Sequence, residues 1–440
     1  MKFVMTIVAW NELEQPERER LLARPALETT AELRDSVEAI MQTVRRDGDR
    51  AVLDYGRTFD GRAPERLLAS NADLDSAGEE LDPALVGAID TAIGTVTRFH
   101  EAARPQDLVV ETAKGVTCEA RWRALDPVGL YVPAGTAPLP STAVMLGVPA
   151  RLAGCRKIVL ATPPGADGRA DAAVRYIAHR LEIDTVLVAG GAQAVAAMAY
   201  GTESVPKVVR VFGPGNRFVA EAKRQAAQDP AGAAMDLPAG PSEVMVIADE
   251  STEADFIAMD LLSQAEHGPD SQVFLVTDSA VLARDVVSSL ERLSAKLPRA
   301  ETAGRALEHG AVIVVERLAE AVGVANDYAP EHLIIATDNA RELCNDITSA
   351  GSVFLGHYTP EALGDYISGT NHVLPTGGWA RSYAGLSLTD FMRRMTVQEA
   401  TPEGLRTLGP DGARLAAHEG LDAHRLAIQM RLDRLVETSE

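Results

Sequence analysis

The feature that most constrains the fold is a series of short, continuous apolar runs that end in glycine or proline, several of which lead into helical patterns. The first series comprises GLYVPAG (129–135), KIVLATPPG (157–165), TVLVAGGAQAVAAMAYG (185–201) and KVVRVFGPGNRFVAEAKR (207–224). Strands that are apolar along their whole length are typical of parallel sheets, whose two faces are covered by helices. These residues therefore predict parallel strands joined by helical crossovers.

The same pattern returns after a break. The second series comprises SEVMVIAD (242–249), SQVFLVTD (271–278), GAVIVVE (310–316), HLIIATD (332–338) and GSVFLG (351–356). Residues 10–58 and the chain from about 382 onward instead show helical periodicity, with one long amphipathic pattern over 411–437. Two similar α/β modules with helical ends predict a duplicated, doubly wound α/β architecture, and 440 residues are enough for two to four domains.

Charge and cysteine content narrow the class of protein. The formal net charge is −21 and the pI is about 4.9, which argues against a nucleic-acid partner and against an anionic membrane surface. Cys118, Cys155 and Cys344 form no CxxC pair, so neither a disulfide framework nor a cysteine zinc site is expected. The first residues resemble no secretory signal or transit peptide, and no apolar run reaches membrane-spanning length. We therefore expect a cytoplasmic protein.

Glycine loops at several strand ends are candidate ligand sites. The dinucleotide fingerprint GxGxxG is absent, because Phe218 replaces the third glycine after Gly213 and Gly215. Loops at Gly190-Gly191, Gly213/Gly215 and Gly240 nevertheless leave room for a ligand, although each could be a plain tight turn. In open α/β sheets, ligands bind beyond the carboxyl ends of the strands. The number of such loops favours a ligand, for example a nucleotide held without the usual fingerprint.

Several histidines stand beside carboxylates or amides. Gln264 and His267 are three residues apart at a predicted helix end, so they share a face. This spacing suits two ligands of one metal ion, but it equally suits a capping or surface network. Glu331 and His332 open a predicted strand. Because adjacent residues point apart in regular structure, one interpretation is that they have separate roles in acid–base chemistry. The alternative interpretation is an ordinary pair at a helix end.

Two further clusters carry polar side chains. Asp365 and His372 lie in the dense polar segment GDYISGTNHVLPTGG, for which ligand binding is one explanation. Glu419 and His424 are five residues apart on the last helical pattern, which by itself indicates a solvated face. No cysteine lies in any of these clusters and no GxSxG sequence occurs, so thiol and serine nucleophiles are not indicated.

Seven long blocks, in order along the chain, together resemble the histidinol dehydrogenase family. They are GPGNRFVAEAKRQ (213–225), DLPAGPSEVMVIAD (236–249), DLLSQAEHGPDSQV (260–273), YAPEHLII (328–335), ITSAGSVFLG (347–356), SGTNHVLPT (368–376) and FMRRMTVQE (391–399). The resemblance extends from the RPA segment near residue 24 to the last helix. The stretch GGWARSYAGLS (377–387) lies outside these seven blocks.

The resemblance implies an activity and a fold. Members of this family oxidise L-histidinol through L-histidinaldehyde to L-histidine with two NAD+, the last steps of histidine biosynthesis. They bind one Zn2+ per active site and form a domain-swapped homodimer of two incomplete Rossmann-like domains with small helical N- and C-terminal segments. The implied divisions are a helical segment 1–25, a first α/β domain 26–128 plus 239–381, a second α/β domain 129–238, and a helical segment 382–440 that reaches the partner's active site.

Carried over motif by motif, the resemblance also implies site residues. The Zn2+ ligands would be Gln264, His267, Asp365 and His424, the last from the partner subunit. The catalytic pair would be Glu331 and His332. The substrate contacts would be Ser242, His372 and Glu419 together with Gln264, His267, His332, Asp365 and His424, and the NAD+ contacts would be Tyr131, Gln193 and Asn216.

Two other functions stay open at this level. A paralogous zinc- and NAD-dependent dehydrogenase of another amino or sulfonated alcohol would share the metal and Glu–His groups, so His372 and Glu419 are the residues that discriminate. An inactive ligand-binding or scaffold relative would be free to lose some of these polar residues. All of them are present in this chain, which favours an active enzyme.

Overall fold

The fold is that of a computed structural model, which describes residues 5–25, 30–59, 64, 66–134, 138–238 and 240–437. The strands are β1 (Thr6–Ala9), β2 (Leu108–Ala113), β3 (Val116–Ala124), β4 (Val128–Tyr131), β5 (Ile158–Thr162), β6 (Thr185–Val188), β7 (Arg210–Phe212), β8 (Ala234–Met235), β9 (Glu243–Ala248), β10 (Gln272–Thr277), β11 (Ala311–Val314), β12 (His332–Ala336), β13 (Ser352–Leu355) and β14 (Met392–Ala400).

Helices connect and cover these strands. They are α1 (Gln15–Leu21), α2 (Ala31–Phe59), α3 (Asn71–Asp75), α4 (Pro83–Ala102), α5 (Pro140–Ala153), α6 (Ala172–Arg180), α7 (Gly191–Tyr200), α8 (Arg217–Gln228), α9 (Ala254–Ala265), α10 (Ala280–Ser294), α11 (Ala300–Leu307), α12 (Leu318–Tyr328), α13 (Ala340–Cys344), α14 (Glu361–Tyr366), α15 (Pro402–His418) and α16 (Asp422–Glu437). Short 3-10 helices span Trp10–Glu12, Ala77–Glu80, Trp379–Arg381 and Leu388–Phe391. None of the described helices is long and apolar enough to cross a membrane.

Two parallel sheets form the framework. The five-stranded sheet has the order β6-β5-β4-β7-β8, and the six-stranded sheet has the order β1-β11-β10-β9-β12-β13. The five-stranded sheet begins at β4, continues outward through β5 and β6, and then continues on the other side through β7 and β8. The six-stranded sheet, apart from the added edge strand β1, begins at β9, continues through β10 and β11, and then continues on the other side through β12 and β13, so the order reverses between β4 and β7 and between β9 and β12. This is doubly wound, Rossmann-like topology. The predicted α/β fold class with two such sheets is confirmed.

Continuous burial explains why the strands were visible in the sequence. Every residue of β9 and of β10 is buried, and the same holds for β4 and β5. Such strands need apolar side chains on both faces, because helices cover both. The core of the six-stranded sheet therefore lies in two layers, one on each face.

Residues 31–59 pack on the five-stranded sheet. Helix α2 lies against α7 and α8, and its buried Val37 and Met41 belong to the same apolar cluster as Val195 and Met198. The sequence analysis grouped this part of the chain with residues 239–381 instead. Helical periodicity shows which face of α2 is buried but carries no information about the sheet that buries it.

The two ends of the chain contain strands as well as helices. Strand β1 pairs in parallel with β11, which would otherwise be an edge strand with unpaired backbone groups. Strand β14 pairs antiparallel with β3 in a three-stranded sheet of order β14-β3-β2. The long pattern over 411–437 is divided into α15 and α16 at Gly420, whose φ of 72° is left-handed and reverses the chain.

Candidate functional site

The predicted catalytic residues lie at the amino edge of the six-stranded sheet. Glu243 is the first residue of β9 and His332 is the first residue of β12, with His332 paired beside Val244. Helix α9 runs antiparallel to the strands and ends at this same edge. Gln264 lies in the last turn of α9 and is therefore at the edge too. Three segments that are far apart in sequence therefore meet here because of the topology.

The backbone of Glu243 holds both members of the predicted pair. The carboxylate of Glu331 accepts a hydrogen bond from the Glu243 N–H at 2.9 Å, and His332 Nδ1 lies 3.1 Å from the Glu243 carbonyl oxygen. The Gln264 amide nitrogen is 3.3 Å from Glu331 Oε2 and 3.1 Å from His332 Nδ1. All four residues are at least nine-tenths buried.

Glu331 and His332 do not point apart. His332 Nδ1 and Glu331 Oε2 are 3.6 Å from each other. The expectation of opposite directions rested on strand alternation, which applies only inside a strand. Because β12 begins at His332, Glu331 still belongs to the preceding turn, and its side chain reaches the same site.

Asp365 and His372 complete the buried part of the site. Asp365, on α14, lies with Oδ1 3.3 Å from His332 Nε2, and its backbone carbonyl is 2.8 Å from His372 Nδ1. His372 Nε2 is 3.4 Å from the hydroxyl of Thr142 at the start of α5. Through this last contact the site touches the helix layer of the five-stranded sheet.

The electrostatics of the buried histidines differ. Burial disfavours a charge on His332, but the carboxylates of Glu331 and Asp365 outweigh it and hold the pKa of His332 well above its usual range. Burial dominates at His372 and lowers its pKa, in spite of the opposing charge of Asp365. Burial likewise raises the pKa of Asp365, yet the hydrogen bond and charge of His332, with smaller contributions from His372 and His267, bring that pKa below its usual value.

A cleft of about 840 Å³ is lined by residues that adjoin this cluster in sequence, Ser242 before Glu243 and His267 after Gln264, but not by Glu331 or His332 themselves. His267, Ser242 and Asn216 line it, so one predicted metal ligand, one predicted substrate contact and one predicted NAD+ contact share a cavity. His267 itself is exposed, just beyond the end of α9. The cleft is also lined by Gly213 and Gly215 from the carboxyl edge of the five-stranded sheet.

The predicted NAD+ contacts surround the point where the order of the five-stranded sheet reverses. Tyr131 ends β4, and Asn216 follows β7 and caps α8 by accepting hydrogen bonds from the backbone of Phe218 and Val219. Tyr131 accepts a hydrogen bond from the Gly191 N–H at 3.0 Å, while Gln193 is buried in the first turn of α7. Reversal points at the carboxyl edge are where doubly wound sheets bind ligands.

Glu419 and His424 lie elsewhere in the single chain. Both are exposed around the turn between α15 and α16. Neither hydrogen-bonds nor forms an ion pair with the buried cluster among the residues that the structure describes. The other predicted residues are thus gathered around one edge and one cleft, and these two are not.

At the predicted Zn2+ site the described residues include a buried donor atom but no preformed cluster of ligands. Gln264 Oε1 is buried and has no hydrogen-bond partner within the described chain, so it is an oxygen donor that awaits a ligand. Over the same residues, no group of three or more His, Cys, Asp or Glu side chains is arranged to hold a metal ion. Of the four predicted Zn2+ ligands, Gln264 is not one of these residue types, and His424 would come from a partner subunit. Only His267 and Asp365 are then such residues within one chain.

The cysteines are not placed for covalent chemistry. Cys155 is buried beside Phe391, and burial raises the pKa of its thiol to about 12. Thiols react as thiolates, so this cysteine is inert at neutral pH. Cys118 lies in β3 and Cys344 ends α13, both outside the site.

Sequence reasoning missed two supporting carboxylates. Glu243 follows Ser242 in the GPSE sequence, and only the pairing of β9 with β12 shows that its backbone holds Glu331 and His332. Glu361, buried at the start of α14, accepts a hydrogen bond from Ser263 of α9 at 3.3 Å. Ser263 and Glu361 are 98 positions apart in the sequence, so no local pattern links them.

A buried Glu–His pair at the edge of one parallel sheet, together with a cleft lined by the glycine loop of the other, is typical of an α/β enzyme. The family model for histidinol dehydrogenase matches residues 23–432. Histidinol dehydrogenases of Idiomarina loihiensis and Aliivibrio fischeri are 52% and 49% identical over 97% and 98% of this chain, and over the same shares of their own. A crystal structure of histidinol dehydrogenase from Elizabethkingia anophelis superposes with a TM-score of 0.94 at 39% identity, over 98% of each chain. The chain therefore belongs to the histidinol dehydrogenase family of oxidoreductases.

Proposed function

We propose that this chain oxidises L-histidinol through L-histidinaldehyde to L-histidine, with two NAD+ used in turn and one Zn2+ per site. The observation that carries the proposal is the buried pair Glu331 and His332, held on the backbone of Glu243, which follows the cleft residue Ser242 in the sequence. A base and a water-activating carboxylate side by side suit an alcohol oxidation followed by an aldehyde oxidation.

Zn2+ fits the residues at this edge. Gln264, His267 and Asp365 offer oxygen and nitrogen donors without a thiolate, and the unsatisfied Gln264 oxygen is the donor most in need of a partner. His424 of a partner subunit would supply the fourth donor. Zn2+, when bound, would orient the amino and imidazole nitrogens of histidinol and has no redox chemistry of its own.

His332 acts as the general base in the alcohol step, in its neutral form. Zn2+ bound by Asp365 would favour that form, because it would offset the carboxylate charge that raises the pKa of His332. Its ring is fixed by Glu243 and Gln264 at Nδ1, so Nε2, beside Asp365, is the atom that takes the hydroxyl proton. Tyr131, Gln193 and Asn216 would hold NAD+, which when bound would supply the hydride acceptor of each half-reaction. Ser242 and His372 bind polar groups of the substrate, together with Glu419 from the partner.

Glu331 acts in the aldehyde step. Its carboxylate removes a proton from water as the water oxygen adds to the aldehyde carbon, and His332, protonated in the alcohol step, gives its proton to the carbonyl oxygen, so that the hydrate forms. His332 is then neutral again and takes a hydroxyl proton from the hydrate as the second hydride leaves. A water route agrees with the absence of a suitably placed cysteine among the described residues. Retention of the aldehyde between the two steps protects a reactive compound from solution.

A domain-swapped homodimer completes the site in this proposal. Helices α15 and α16 pack mainly on each other, α16 buries none of its described residues, and Leu415, Met430 and Val436 are 66%, 68% and 63% exposed. Exposed apolar side chains on one hairpin favour contact with a second copy. Such contact would carry Glu419 and His424 to the partner's cleft.

The second candidate is a paralogous dehydrogenase of another amino or sulfonated alcohol. The Glu–His pair and the metal donors would serve any such alcohol, whereas His372 and Glu419 match the histidinol contacts. The experiment is NADH formation with L-histidinol and with other amino alcohols, before and after treatment with a chelator.

We expect L-histidinol to be preferred by about a hundredfold or more, since polar recognition groups discriminate strongly against substrates that leave them unpaired. Chelation should abolish the activity and added Zn2+ should restore it. A preference for another alcohol would contradict the substrate, and activity that survives complete metal removal would contradict the role of Zn2+.

A further inference from the structure

We propose that the ion pair between Arg24 and Glu243 positions the catalytic pair, an inference that rests on the proposed function. Glu243 contacts Glu331, Gln264 and His332 through its backbone. Its N–H donates to Glu331, and its carbonyl oxygen lies 3.2 Å from the Gln264 amide nitrogen and 3.1 Å from His332 Nδ1. A shift of this one peptide segment would therefore move all three side chains.

The side chain of Glu243 is fixed in turn by Arg24. The guanidinium binds the carboxylate through two parallel hydrogen bonds, Nε to Oε1 at 2.6 Å and NH2 to Oε2 at 2.9 Å. The Gly377 N–H donates to the same carboxylate at 2.8 Å. The Glu243 side chain is 3% exposed and that of Arg24 is 22% exposed, so water does not substitute for this pair.

Arg24 also holds the turn that leads into Glu331. Its NH2 group donates to the carbonyl oxygens of Tyr328 at 2.8 Å and Ala329 at 3.3 Å, and its guanidinium stacks over the Tyr328 ring at 4.0 Å. Ala329 has a φ of 53°, in the left-handed region that alanine rarely adopts, so this turn needs outside support. One guanidinium thus contacts both segments whose relative position sets the Glu331 hydrogen bond.

A second buried arginine makes the same kinds of contact but lies away from the site. Arg175 has the same set of partners, namely two hydrogen bonds to a carboxylate, here Glu80, and two to carbonyl oxygens, of Asp73 and Ala170. It belongs to α6, a helix of the five-stranded sheet, and its partners hold no residue of the site. Arg175 is therefore a matched control for the loss of a buried arginine.

The experiment compares R24A with R175A in the metal-loaded enzyme by measuring kcat, KM for L-histidinol and thermal stability. We expect both variants to lose stability, but only R24A to lose kcat, by about a hundredfold with KM changed less than about fivefold, because misplacement of catalytic groups by about 1 Å costs that much in rate. Guanidinium ion at tens of millimolar should restore part of the R24A rate. An equal ionic strength of sodium chloride, and the R175A variant with guanidinium, should show no such rescue.

Two milder variants keep the test decisive if R24A does not fold. R24K retains the charge without the paired geometry, and E243Q retains the shape without the charge. Both should lower kcat more than KM changes. If R24A or, failing that, R24K and E243Q keep kcat within about twofold of the wild type, the positioning role is wrong; if the wild-type protein forms no NADH, the proposed function fails instead.

Discussion

At the scale of the residue, the site depends on contacts of the Glu331 and His332 side chains with the backbone N–H and carbonyl oxygen of Glu243. The sequence indicated Glu331 and His332 through a family motif, but their adjacency suggested opposite directions. Their convergence on Glu243 depends on where β12 starts, and that boundary is set by pairing with β9. Periodicity predicts faces well and the ends of elements poorly, so this contact was outside its reach.

The E331Q variant separates the two half-reactions. The amide keeps the shape but cannot take a proton from water, so the aldehyde step should fall by about a hundredfold or more while the alcohol step falls less. Single-turnover rates with L-histidinol and with L-histidinaldehyde measure the two steps separately. Equal losses in both steps would contradict the role of Glu331 in water activation.

The buried carboxyl of Glu361 makes stability fall as pH rises. Burial raises the pKa of Glu361 to about 8, against an ordinary value of 4.5, so the folded protein keeps this proton while the unfolded chain releases it. Because the pKa of Glu361 is higher in the folded protein than in the unfolded chain, its proton stabilises the folded protein fully below about pH 4.5. This stabilisation is lost as the pH rises through about 8. E361Q, which has no proton to lose, should gain stability relative to wild type between pH 5.5 and pH 8, on the order of 2 kcal/mol.

Urea unfolding of the metal-free proteins at the two pH values measures this difference. E361A serves as a control for packing, because the smaller side chain also removes the titration but leaves a cavity. The same stability difference between wild type and E361Q at both pH values would mean that Glu361 is ionised in the folded protein.

At the scale of the element, the proposed ligand contacts lie mainly in loops between strands and helices, whereas the strands form the core. The strands and their parallel arrangement could be predicted because burial on both faces requires continuous apolar runs. The packing of α2 on α7 and α8, the strand β14 and the edge strand β1 could not, since each depends on a partner distant in sequence. Pairing partners are a property of the assembled molecule, which local pattern does not encode.

The loop after β7 should tolerate no side chain at Gly213. Its φ of 115° is left-handed, and a Cβ would come 2.2 Å from the Tyr131 carbonyl oxygen at the point where the sheet order reverses. G213A should raise KM for NAD+ by about tenfold or more through displacement of this loop. In G154A, at the left-handed end of α5, the nearest atom is Ala124 Cβ at 3.8 Å, so only stability should fall; an unchanged KM for NAD+ in G213A would contradict the assignment.

At the scale of the whole molecule, two sheets contribute opposite edges to one cleft. The five-stranded sheet contributes Gly213 and Asn216 at its carboxyl ends, and the six-stranded sheet contributes Ser242, just before β9, at its amino ends. Glu331 and His332 lie at this same amino edge but do not line the cleft. The sequence placed all these residues in motifs but not at one cleft. Glu419 and His424 remain on an exposed hairpin, which is why the account requires a second subunit.

Complementation between inactive variants tests the shared site. H267N and H424N should each lose Zn2+ and activity, but exchange of subunits should restore one native site in each mixed dimer, or about a quarter of wild-type activity in an equal mixture. H267N mixed with D365N is the control, because both changes lie on the same side of the site and no native site can form. Recovery in the control, or none in the first mixture despite proven exchange, would contradict the domain-swapped arrangement.

The central claim is that one site carries out both oxidations. The most direct measurement is the amount of NADH formed per L-histidinol consumed, with the organic product identified in the same sample. The account predicts two NADH and one L-histidine for each L-histidinol, without free aldehyde in solution. One NADH per L-histidinol with accumulated aldehyde, or no NADH at all, would contradict it.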